Sequence, residues 1–175
     1  MIAADAWVSY GLGGTTFDPA SGEQQLVARL KAIGVNVHSS PYQWSDIQTI
    51  VNEILVASKT NKIFVGGDSL GANEAPAIAA ALVGKTWIDY LFGFQRSQYG
   101  VQVAVPRNVF VADSIYNPAW VETVGLGDDP WTLAPENDTT KLKNIPIYAA
   151  HPDDFGVAQD LVFNHIKAII AGSNS

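Results

Sequence analysis

The chain of 175 residues contains no cysteine, a single methionine, and only 10 basic side chains against 17 acidic ones. Without cysteine there is no disulfide framework, no thiolate metal site and no cysteine nucleophile. Lysine and arginine never cluster and the formal charge is −7, which argues against a surface that neutralises nucleic-acid phosphates or an anionic membrane. The partner expected is a small molecule or another protein. Long apolar runs are missing too. No window approaches the ~20 apolar residues of a membrane span, and Met1 to Trp7 show no basic segment leading into an apolar one. A soluble, cytoplasmic chain is the expectation. The histidines are only His38, His151 and His165, a poor zinc set when no cysteine joins them, so no metal and no cofactor is expected.

What is present fits one domain over residues 1–175. Strand-length apolar runs alternate with segments of helical period, the pattern of an α/β sheet built from crossover units. The strands are expected at Ala6 to Tyr10, Val35 to His38, Lys62 to Gly66, Ile88 to Phe94, Asn108 to Asp113 and Ile145 to Ala150. Helices are expected over Glu23 to Ile33, Ser45 to Ser58, Ala72 to Val83 and Val157 to Ala171. The architecture expected is a doubly wound, mostly parallel six-stranded sheet with helices on both faces, in strand order 2-1-3-4-5-6. One stretch breaks the rhythm. Ser114 to Asn144 holds Trp120, Trp131, three prolines and five acidic residues, and reads either as a partial lid over a site or as an irregular excursion packing its tryptophans on the core.

The segment richest in chemistry is Gly67-Asp-Ser-Leu-Gly71, which follows an apolar strand and leads into a helix of small residues. In that context G-x-S-x-G is a nucleophile turn: the serine sits on a tight reversal that needs small neighbours, and the helix N-terminus stabilises developing negative charge. Ser69 is the candidate nucleophile, with a purely structural turn as the alternative. The base must reach it from the C-terminal ends of the strands. His151 follows the sixth strand at that edge, His38 closes the second, and His165 lies mid-helix.

These residues resemble the α/β-hydrolase family, and the element order extends the resemblance over nearly the whole chain. The chain looks like a trimmed member lacking the first two strands and any large cap. The resemblance implies a serine hydrolase that cleaves a carboxylic ester or thioester through an acyl-enzyme. Ser69 would be the nucleophile, His151 the base and Asp113, at the end of the fifth strand, the acid; the backbone amides of Leu12 or Gly13 and of Leu70 would form the oxyanion hole. Tyr10-Gly-Leu-Gly-Gly14 matches the family's glycine-rich loop, though alone it also reads as a simple glycine turn. Asp153 and Asp154 are alternative acids, and a second alignment makes Asp154 the acid and His165 the base. After the fourth strand, where the family has its other acid position, stands Gln95. The literal Gly-Asp-Ser-Leu string also occurs in a different esterase group, but that group's Asp-x-x-His is absent from this chain. Tyr10, Tyr42, Trp44, Gln95 and Tyr116 would line a pocket for a small or medium apolar acyl group. The contrasting expectation is a non-catalytic protein of the same fold that binds a ligand or partner in that cleft.

Overall fold

The computed structural model describes residues 2–10, 22–41, 47–118, 130–148 and 154–172. Six strands form one sheet in the order β2-β1-β3-β4-β5-β6, every pair parallel. They are β1 (Ala4–Tyr10), β2 (Asn36–Pro41), β3 (Lys62–Asp68), β4 (Ile88–Phe94), β5 (Val109–Tyr116) and β6 (Lys141–Pro146). The helices among the described residues are α1 (Gly22–Ala32), α2 (Ile47–Ala57), α3 (Leu70–Ala81) and α4 (Asp154–Ile170). None is long and apolar enough to cross a membrane.

Strand periodicity of two divides the core into two layers. On one face Ala6, Val8, Phe64, Tyr90, Phe92 and Ile115 meet Leu26, Val27 and Leu30 of α1 and Ala158, Val162 and Ile166 of α4. On the other, Trp7, Ile63, Val65, Leu91 and Ala112 meet Val51 and Ile54 of α2 and Ala75, Ile78 and Ala79 of α3. Gly34 (φ 86°) ends α1: its amide donates to Lys31 and that of Val35 to Leu30. That pair of bonds is a Schellman cap, and it turns the chain straight into β2.

The stretch from Ser114 to Asn144 is not one long excursion. Its ends are strand, as Ser114 to Tyr116 complete β5 and Lys141 to Asn144 open β6. Trp131 is buried to 1% exposure in the α2–α3 layer. Its backbone amide donates to Ser114 Oγ and its carbonyl accepts from Asn144. Farther on, Asn137 donates to Val105 O and Thr140 to Val109 O. Residues 130–140 therefore form the described approach to β6, with the Trp131 indole packed into the α2–α3 layer. A Cβ on Gly93 would collide with that indole. Residues 119–129, with Trp120, lie outside the described residues, so the lid reading has no structural counterpart in what is described.

Strand limits differ from the sequence expectation at β5, which runs on past Asp113 to Tyr116, at β6 and at β2. β6 covers Lys141 to Pro146 rather than Ile145 to Ala150, because an edge strand pairs on one side only and tolerates Lys141 and Lys143 facing water. β2 runs on to Pro41, so His38 lies within the strand, opposite Trp7, rather than closing it. Its ring stacks on Trp7 at 4.5 Å, and its Nε2 lies 3.1 Å from Asp5 Oδ1.

Asp5 is buried, which by itself would raise its pKa, but hydrogen bonds from Asn61, His38 and Asn36 outweigh burial and hold the carboxyl below its ordinary value. A lowered native-state pKa stabilises the fold above the unfolded-state value of about 4, and that stabilisation is lost as pH falls through the native one. Asp5→Asn should accordingly flatten the acid limb of a plot of unfolding free energy against pH, measured in urea between neutrality and strongly acid solution.

Candidate active site at the serine turn

β3 leads directly into α3 through Ser69, which takes φ 52° and ψ −115° at the helix N-cap and makes no side-chain capping bond. A non-glycine residue in this sparsely populated region costs about 1–3 kcal/mol and persists only where its surroundings enforce it. Those surroundings are backbone. A Cβ on Gly67 would collide with Ser9 O and the backbone of Gly71, and a Cβ on Gly71 would collide with the Ser9 carbonyl. Both glycines are thus required by close approach of the turn to β1. The Ser69 amide donates to Phe94 O at 2.9 Å, and the Ser97 amide to Ser69 O at 3.3 Å. Gln95, between those partners, is the other non-glycine residue with positive φ among the described residues, at 49°.

Next to this turn, Gly71 to Pro76 of α3 are buried. Asn73 holds the β4–β5 connection by donating to Ser97 O and accepting from the Ser97 amide, both at 3.0 Å. Leu70 opens α3, so its amide is among those that no carbonyl within the helix can reach. The Ser69 hydroxyl, free of capping, sits half-exposed beside a helix N-terminus. A nucleophile whose product is an oxyanion is served by that arrangement.

Other candidate residues are placed less uniformly. Tyr10 ends β1 and is buried, while Tyr116 ends β5 half-buried. Gln95 follows β4 beside the serine turn, as expected. Leu12, Gly13, Tyr42, Trp44, His151 and Asp153 lie outside the described residues, and of Asp154 only its place at the start of α4 is described.

Asp113 does not end its strand. β5 continues to Tyr116, and Asp113 pairs with Phe92, which pairs with Gly66. At ~3.3 Å per residue and ~4.8 Å per strand, its backbone lies roughly 10 Å below Ser69 and roughly 10 Å across the sheet. Its carboxylate faces α4, where Oδ2 accepts from Tyr90 Oη at 2.8 Å and lies 3.2 Å from His165 Nδ1. His165 also packs against the Tyr90 ring at 4.5 Å. Burial, then the charge and hydrogen bond of Asp113, push the Tyr90 hydroxyl well above its ordinary pKa, so it remains a donor.

This buried Tyr90–Asp113–His165 cluster was not anticipated. Its signal was present, however, in a carboxylate inside the apolar run Val109-Phe-Val-Ala-Asp113 and a histidine beside the buried stripe Val162, Ile166.

No protein-family model matches the chain, and no curated protein does. Solved structures do. A dienelactone hydrolase from Anabaena variabilis is 14% identical with a TM-score of 0.58, over 93% of this chain and 85% of that one. The chain has the α/β-hydrolase fold. A member of the alpha/beta hydrolase superfamily from Xanthomonas campestris matches 94% of this chain and 99% of its own at 10% identity and TM-score 0.55. The RedJ thioesterase of the prodiginine biosynthetic pathway in Streptomyces coelicolor matches 94% and 85% at 14% identity and TM-score 0.56. Within the α/β-hydrolase fold, a strained serine between β3 and α3 is the local feature that the Ser9 carbonyl and the two glycines build. Gly71→Ala should lower stability by about 1–3 kcal/mol through overpacking against that carbonyl, read as a shift of the urea midpoint at unchanged slope.

Proposed function

We propose that the protein is a serine hydrolase acting on carboxylic esters or thioesters, with Ser69 as nucleophile. The observation that carries this reading is the uncapped, half-exposed Ser69 hydroxyl in a strained turn at the N-terminus of α3. The named activities of the neighbours, a dienelactone hydrolase and a thioesterase, support the same substrate class. In this reading His151, a few residues beyond β6 in sequence, takes the Ser69 proton and returns it to the leaving group, and the Leu70 amide with that of Leu12 or Gly13 holds the oxyanion. The acyl group is small or medium and apolar.

Asp113, which the resemblance makes the acid, has its Oδ2 engaged by Tyr90 and His165 well below the serine. We therefore give the orienting role to Asp153 or Asp154, and to Asp113 the role of anchoring α4. His165, held by the same carboxylate, is part of that anchor rather than the base.

A p-nitrophenyl ester series from acetate to octanoate tests the assignment. Ser69→Ala and His151→Ala should each lower kcat/KM by at least about a thousandfold. Retention of wild-type rates by folded Ser69→Ala would refute the reading and leave a binding protein of this fold.

Asp113→Asn separates the two carboxylate roles. It should lower stability by about 1–3 kcal/mol, since a buried polar contact is disrupted, and hold kcat/KM within about tenfold of wild type. A loss as large as that of Ser69→Ala, at full folding, would return Asp113 to the reacting centre.

A further inference from the structure

At the sheet edge opposite Ser69, where the strands begin, an aromatic pair stands open to solvent. Trp87, just before β4, is 46% exposed and Phe110, in β5, 48% exposed. Their rings stack at 4.6 Å with only 15° between planes. Val83 and Ile2 on the same edge are exposed as well. Apolar residues gathered this way, away from the reacting serine and rimmed by charge, mark an interaction surface.

Grooves flank the pair on both sides, and Trp87 contributes to each. One, of about 460 Å³, includes Lys59 before β3 and Lys62 at its start. The other, of about 490 Å³, includes Arg107, Glu136 and Asp138 before β5 and β6. The order of strands therefore sets charge along the edge: Lys59 and Lys62 on the β3 side, the aromatics with Lys85 and Arg107 before β4 and β5, and Glu136 and Asp138 on the β6 side. Lys62 is taken by Asp89 at 2.6 Å. Lys59, Glu136 and Asp138 are exposed, and no ion pair involves them among the described residues.

We infer that this edge is the interface of a two-fold homodimer, with Trp87 and Phe110 packing on their counterparts and Lys59 of each copy meeting Glu136 and Asp138 of the other. A two-fold axis through the aromatic pair exchanges the flanks, so both charge contacts form at once and the assembly closes. The chain as a whole repels its copies at −7. On this edge Lys59, Lys62, Lys85 and Arg107 stand against Asp89, Glu136 and Asp138, and the repulsion is offset by setting the Lys59 flank of one copy on the Glu136 and Asp138 flank of the other. The serine turns face away from the contact, so dimerisation leaves them open to substrate.

Sedimentation of the full chain across micromolar to submillimolar concentrations tests this interface. The wild type should dimerise reversibly, and Trp87→Ser should abolish association. Lys59→Glu alone, and Glu136→Lys with Asp138→Lys, should each weaken the dimer about tenfold or more, while all three together should return it to within about threefold of wild type. Far-UV circular dichroism and Tm confirm that each variant is folded. A wild type that stays monomeric throughout, a Trp87→Ser variant that associates as wild type, or a triple variant no tighter than the separate swaps would overturn the inference.

Discussion

The close approach of the Ser9 carbonyl to Gly67 and Gly71 is the contact on which the serine turn depends. Ser9 pairs with Gly67 in register across β1 and β3, and its carbonyl fills the space where side chains on both glycines would stand. The turn can then tighten enough for α3 to start at once, and Ser69 is left with φ 52°. The strain is local, but its support is spread over β1, β3 and the Phe94–Ser97 backbone. This is how a fold holds a non-glycine residue in a conformation that a free peptide would abandon.

Away from that contact the sheet is supported unevenly. β1 to β4 are joined by helices, whereas the β4–β5 connection and residues 130–140, the described approach to β6, hold themselves by side chains. Asn108 donates to the carbonyls of Ala79 and Thr86, Asn137 ties to Val105, and Trp131 fills the space over Gly93. Buried amides and one indole thus replace a helix's own hydrogen bonds, meeting the requirement that buried backbone groups find partners. The Tyr90–Asp113–His165 cluster completes this half by fastening α4 over β4 and β5.

The parts of this arrangement set by period and punctuation were legible in the sequence. Strand order, parallel pairing, the four described helices and the glycine–serine turn followed from apolar runs and from Gly34, Gly67 and Gly71. Two of the misplacements share a physical cause, since each involves a polar residue whose partner is remote in sequence. Asp113 resembled a strand end because a carboxylate in an apolar strand needs Tyr90 and His165, and neither lies near it in the chain. His38 resembled an edge residue because its Asp5 and Trp7 partners are on another strand. Lys141 and Lys143 hid β6 because edge strands need not be apolar, and Trp131 gave no sign that the unpatterned segment around it would form the approach to β6.

The central claim is that the Ser69 turn generates a reactive hydroxyl. Its most direct measurement is peptide-resolved mass spectrometry after exposing the folded protein to a fluorophosphonate. Modification of one residue, Ser69, to near stoichiometry and its loss on prior unfolding is the predicted result. A folded protein that stays unmodified, or one modified elsewhere while the Ser69 peptide remains bare, would contradict it.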